Sequence, residues 1–121
     1  MNFLLVFIGG GLGSICRYGI SVFLKNQNYV FPWATFWANA ISCIILGMFV
    51  GWTMKNGAND FQKYLLMIGF CGGFSTFSTF SNETFQLLQS GNLTYAFGNI
   101  LLSLVVCLGC VFFGIKCSGW F

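Results

Sequence analysis

The sequence predicts an all-α membrane protein with four transmembrane helices, and three observations carry that expectation. Of its 121 residues, 57% are hydrophobic and only 6% are charged. A soluble globular domain carries about 25% charged residues, so this chain cannot cover its surface in water. Short polar stretches at 25–29, 55–60 and 90–92 divide the chain into four apolar segments. Each reaches the roughly 20 residues that a helix needs to cross about 30 Å of hydrocarbon. Finally, one segment contains Gly72-Gly73-Phe74-Ser75-Thr76-Phe77-Ser78-Thr79-Phe80-Ser81, where a helix made only to span would carry Leu, Val and Ile.

The first segment, about 3–24, begins almost at Met1 with no basic leader and no small-residue cleavage site. It is expected to be a retained span rather than a removed signal peptide. It carries Gly9, Gly10, Gly11 and Gly13 ahead of Arg17, and small residues at such spacing favour close helix packing. The second segment, 32–54, opens with Pro32, which suits a first helical turn. The third, 62–90, is long for a perpendicular crossing and holds Gly69, Gly72 and Gly73. Tilt absorbs some excess length, but clustered glycines followed by hydroxyls argue for a helix broken near 72–76. Non-helical backbone at membrane depth survives only when buried in protein or lining a polar cavity. The fourth segment, 94–116, follows the tight turn Ser90-Gly91-Asn92. Trp33, Trp37, Trp52 and Trp120 fall near segment ends, where indole rings favour the headgroup region. The four segments form one integral membrane domain over residues 1–121.

Charge is sparse. If all four segments span, Lys55, Lys63 and Lys116 share one side and Lys25 lies on the other. The positive-inside rule then favours cytoplasmic termini by a slim margin, leaving insertion in either sense open. The net charge of +3 is dispersed, with no basic run that would suggest nucleic acid as a partner. There is no histidine, and no nucleotide-binding loop or nucleophile–base pair appears, so an enzyme is not expected. The six cysteines mostly lie within the spans, where they read as small apolar residues rather than a disulfide framework. Cys107-Leu-Gly-Cys110 lacks the soluble context that gives a Cys-x-x-Cys pattern its redox meaning.

Several side chains suggest chemistry. Arg17 sits about 10 Å from its helix end, so it either snorkels to the interface or provides a fixed positive charge that draws anions inward. Asn39 lies well inside the second segment and offers either an interhelical hydrogen bond or an amide N–H to an anion. Glu83, the chain's one glutamate, is either an intramembrane site residue or a charge near the segment's wet end. Phe77 and Phe80, three residues apart, share a helix face. They either fill space between helices or turn their electropositive ring edges toward a small hydrated anion, with neighbouring hydroxyls such as Ser78 and Thr79. Carbonyls freed by a break near Gly72–Ser75 would suit a small cation.

Gly9-Gly10-Gly11-x-Gly13-Ser14-x-x-Arg17-Tyr18, then Ala38-Asn39, then Gly69-Phe70-Cys71-Gly72-Gly73-Phe74-Ser75-Thr76-Phe77-Ser78-Thr79-Phe80-Ser81 resemble the CrcB/Fluc family of fluoride channels, in length, span number and motif order. The resemblance implies an antiparallel dual-topology dimer in the cell membrane, of bacterial inner-membrane type, with two fluoride pores and a central structural sodium ion. It casts Phe77 and Phe80 as pore-lining phenylalanines, Asn39 as the pore asparagine and Arg17 as a vestibule arginine. Gly72 and Ser75 match the positions whose main-chain carbonyls hold sodium. Glu83, Asn99 and Ser103 resemble the polar track leading from the pore. The family's Gly-Gly-Leu-Thr-Thr reads Gly72-Gly73-Phe74-Ser75-Thr76 here. The implied function is passive fluoride export by a homodimer, or by a heterodimer with a close homologue of opposite topology.

Two other readings compete with this one. A small multidrug-type proton-coupled transporter needs a carboxylate in its first span, and 3–24 contains no Asp or Glu. A noncatalytic membrane subunit would use its glycines for packing, which gives no purpose to a hydroxyl-rich third segment.

Overall fold

In a computed structural model, which describes residues 2–24, 31–57 and 59–119, the chain is predominantly helical, with no strand among the described residues. Helix α1 spans Asn2–Phe23 and α2 spans Trp33–Asn56. A run over 60–74, called α3, consists of α-helical Asp60–Gln62, π-helical Lys63–Cys71 and α-helical Gly72–Phe74. Helix α4 spans Phe77–Gln89 and α5 spans Leu93–Gly119. By length and composition α1, α2 and α5 can each cross a membrane. The third apolar segment is divided differently from its neighbours. Its last helix, α4, is about 20 Å long and too short to cross alone.

Local chemistry explains the boundaries. Pro32 occupies the N-cap of α2, one position outside the helix that the sequence assigns it to. Asn59 caps α3, its side-chain oxygen accepting from the Gln62 N–H at 2.8 Å. At the end of α4, the Gly91 N–H donates to the Leu88 carbonyl and the Asn92 N–H to the Leu87 carbonyl. This double closure needs a left-handed residue, and Gly91 supplies it with φ 82°. Lys25 and the 25–29 linker, Trp120 and Met1 lie outside the described residues.

Two helix pairs make up most of the packing, α2 with α5 and α1 with α3. Both depend on missing side chains. A Cβ on Gly13 would run into the Phe70 carbonyl and come within 2.7 Å of the Phe74 nitrogen. One on Gly73 would strike the backbone of Gly10, and one on Gly114 the carbonyl of Ile44. Without hydrophobic drive between lipid-bathed helices, such close backbone approach is the main source of packing attraction. Gly72 behaves otherwise. Its backbone is helical and a Cβ there meets nothing within the chain.

Candidate functional site

Helical backbone stops at Phe74 and resumes at Phe77, with Ser75 (φ −85°, ψ 154°) and Thr76 (φ −151°, ψ 121°) extended between. Backbone groups released at such a point need other partners in a lipid setting, and here the partners are side chains. The Asn39 amide grips Thr76 twice. Its oxygen accepts from the Thr76 N–H at 2.8 Å, and its Nδ2 donates to the Thr76 carbonyl at 3.3 Å. The Thr76 hydroxyl then caps α4 by accepting from the Thr79 N–H at 3.2 Å, lies 3.2 Å from the Ser78 hydroxyl and donates to that of Thr79. On the other side of the gap, the Cys71 carbonyl accepts from the Ser75 N–H, the Ser75 hydroxyl and the Ser42 hydroxyl. The Arg17 Nε donates to the Gly73 carbonyl at 3.3 Å.

This allocation has a remainder. Continued helix would send the Thr76 N–H to the Gly72 carbonyl and the Thr79 N–H to the Ser75 carbonyl. Asn39 takes the first donor and the Thr76 hydroxyl takes the second. Among the described residues, the Gly72 and Ser75 carbonyls are left without a hydrogen-bond donor. Gly72 is also exposed on the chain's surface. Two carbonyl dipoles left open at one break suit a small hard cation, which takes oxygen ligands. Among the described residues, no group of three or more His, Cys, Asp or Glu could hold a metal ion.

Beside the break runs an open groove of about 680 Å³, with walls from α2, α4 and α5. Asn39, Thr76, Phe77, Phe80, Thr84 and Ser103 line it. The Phe77 and Phe80 rings lie 5.7 Å apart between centroids, tilted by 36°. Phe77 is 79% exposed, so within one chain its ring has little to pack against. An amide nitrogen carries two hydrogens, and Asn39 uses one on Thr76, leaving the second available to the groove.

A buried chain of hydrogen bonds supports the wall. The Ser103 hydroxyl donates to the Asn99 oxygen (3.0 Å), Asn99 Nδ2 to the Thr84 hydroxyl (2.9 Å), and Thr84 to the Phe80 carbonyl (2.8 Å). Asn99 is 1% exposed, so it acts on the groove through Thr84 and Ser103 rather than by facing it. Glu83 is half-buried. The Thr35 side chain lies near its carboxyl group, and one carboxylate oxygen is buried with no hydrogen-bond partner among the described residues.

The structure therefore brings Asn39, Phe77, Phe80 and Ser103 to one groove. Thr79 and Ser78 stand at the start of α4 beside it. Arg17 lies apart, against the α3 carbonyl that it caps. Three contributors went unrecognised in the sequence: Thr35, Ser42 and Thr84. Thr35 and Ser42 flank Asn39 at the four- and three-residue spacing of one helix face, and Thr84 follows Phe80 by one turn. That periodicity was the available signal.

Residues 4–115 match the family described as CrcB-like protein, Camphor Resistance (CrcB). A relative from Phocaeicola vulgatus, named fluoride-specific ion channel FluC, is 44% identical over 109 residues, covering 86% of this chain and 90% of its own. Proteins of the same name from Flavobacterium psychrophilum (44% over 104 residues; 84% and 82% covered) and Leptospira interrogans (43% over 121; 95% of each) are also similar. With a match over nearly its whole length and relatives above 40% identity, this multi-pass membrane chain belongs to the CrcB family.

Proposed function

We propose that the chain is the subunit of a fluoride-selective channel that exports cytoplasmic fluoride passively across the cell membrane, and not an enzyme. The observation that carries this reading is the groove at the helix interruption. There Phe77 and Phe80 stand beside the spare Asn39 N–H and a row of hydroxyls. Ring edges are electropositive, so they and the amide replace part of an anion's hydration shell without a fixed cation that would trap it. Relatives named as fluoride-specific channels, at 43–44% identity, support the identity of the ion. Hydrogen fluoride enters as the neutral acid and ionises in the cytoplasm. The membrane potential, about 2.3 kcal/mol per charge per 100 mV, then drives the anion outward.

The assembly is an antiparallel, dual-topology dimer in which the third span is a transmembrane helix broken at Ser75–Thr76. The exposed Phe77 and the surface position of Gly72 support a second copy on this face. The Gly72 and Ser75 carbonyls fit a sodium ion, and those of two subunits together would hold it. When bound, sodium supplies a positive charge that offsets the open carbonyl dipoles. Arg17 and Asn39 hold the backbone that presents those carbonyls, by capping Gly73 and fixing Thr76. Ser103, Thr84 and Asn99 continue the polar wall, with Glu83 beside Thr35 further along α4.

Fluoride efflux from liposomes containing this purified chain alone tests the proposal. Selective efflux, with chloride retained, is the expected result and makes the homodimer sufficient. No efflux from well-assembled protein overturns homodimeric function. No efflux after adding a close homologue as well overturns the channel.

A further inference from the structure

One carbonyl at the interruption receives more hydrogen bonds than it needs. The Cys71 oxygen accepts from the Ser75 N–H at 3.0 Å, the Ser75 hydroxyl at 2.8 Å and the Ser42 hydroxyl at 3.2 Å. A carbonyl has two lone pairs, and the two donors of Ser75 are enough to fill them. Cys71 therefore does not require Ser42 for its own satisfaction. Ser42 is 2% exposed, and burying a hydroxyl costs free energy that an alanine in the same space would not. A helical serine can also satisfy itself on the carbonyl four residues back. The Ser42 hydroxyl instead crosses from α2 to α3, two helices that share little packing beside the α2–α5 and α1–α3 pairs.

This tie has leverage on both open carbonyls. Cys71 precedes Gly72 in the chain, and its oxygen anchors both donors of Ser75. Its position thus governs how the Gly72 and Ser75 oxygens stand relative to each other. Asn39, three residues before Ser42 on the same face of α2, fixes Thr76. Helix α2 therefore holds the backbone on both sides of the interruption. We infer that Ser42 is a positioning residue for a sodium ion at the Gly72 and Ser75 carbonyls. By tying Cys71 to α2 it fixes the spacing of those oxygens, and with it the preference for sodium over potassium. The inference rests on the sodium reading above. Ser42 acts through Cys71 and is not itself a ligand. Oxygen dipoles held at one separation match one ionic size, whereas slack ones accept a larger ion as readily.

The test reads ion binding through thermal unfolding, without reference to fluoride flux. Full-length protein is extracted and purified in N-methylglucamine chloride, then titrated with sodium or potassium chloride at constant ionic strength. Wild type should be stabilised by sodium at lower concentration than by potassium. In Ser42→Ala the half-saturating sodium concentration should rise about 3- to 20-fold, the worth of one interhelical hydrogen bond in a membrane. The potassium value should change less, so the ratio between the two ions shrinks. A hydroxyl that only supported packing would lower the unfolding temperature by the same amount in all three cations and leave both titrations unmoved. That result in Ser42→Ala overturns the positioning role. If Ser42→Ala does not assemble, Ser42→Cys, with its weaker donor, should shrink the sodium-to-potassium ratio in the same direction, and an unchanged ratio there overturns the role equally. Wild type with no sodium stabilisation over N-methylglucamine overturns the sodium reading itself, and this inference with it.

Discussion

Asn39 holds the extended residue Thr76 by two hydrogen bonds, and replacing it with alanine isolates that contribution. The substitution removes two hydrogen bonds to Thr76, at 2.8 and 3.3 Å, and leaves the Thr76 N–H and carbonyl without those partners. Interhelical side-chain bonds in membranes are worth about 0.6 kcal/mol on average and about 1.7 at most. Two such bonds give about 1–3 kcal/mol. Since 1.4 kcal/mol is a factor of ten, the ordered extended backbone at 75–76 should lose about 5- to 150-fold in population relative to its alternatives. A competing alternative is available, because the released Thr76 N–H can return to the Gly72 carbonyl and extend α3 by a residue. That would remove one of the two open carbonyls. Fluoride efflux and thermal stability in detergent should therefore fall together in Asn39→Ala. An asparagine that only offered its N–H to the anion would cost flux while leaving stability unchanged. A full-flux variant of wild-type stability would refute the clamp, and loss of flux at wild-type stability would reassign Asn39 to anion contact alone.

Three further outcomes follow from the same geometry. Phe77→Ile and Phe80→Ile conserve enough volume to cost under about 1.5 kcal/mol of packing, so they should keep the size-exclusion profile; at least one should cut efflux steeply through loss of the ring edge, and near-normal flux in both would return the pair to space filling. Ser75→Ala removes only the hydroxyl bond to the Cys71 carbonyl, which keeps its bonds from the Ser75 N–H and Ser42; transport measured by efflux should largely survive, since the Ser75 carbonyl is main chain. Gly13→Ala drives a Cβ against Phe70 and Phe74 and should lower stability by about 1–3 kcal/mol, whereas Gly11→Ala meets nothing within the chain and should change thermal unfolding little.

Much of the architecture was readable from local properties. The expected spans 3–24, 32–54 and 94–116 compare with helices Asn2–Phe23, Trp33–Asn56 and Leu93–Gly119. Apolar length and the polar breaks between segments are enough for that, because a lipid-borne chain must pair its backbone within each segment. Gly91 was equally legible, since the turn it closes involves only its neighbours. The glycines of the third segment were harder to interpret. Clustered near the expected break, they look like its cause, yet Gly69 and Gly73 sit in helical turns that press on α1, and Gly72 is helical too.

The candidate site divides along the same line. Residue types and spacing singled out Asn39, Arg17, Phe77 and Phe80 as chemically unusual in an apolar chain, but left each with two meanings. What the fold adds is contacts between residues far apart in sequence: Asn39 to Thr76 across 37 positions and Arg17 to Gly73 across 56, beside Ser42 to Cys71 across 29. Which carbonyls remain open at the interruption is the difference between the donors that helix geometry would supply and those that distant side chains capture. Helix formation depends on neighbouring residues and average polarity, both written along the chain. The distribution of a few hydrogen bonds depends on which faces of α1, α2 and α3 meet, and that exists only after the helices have packed.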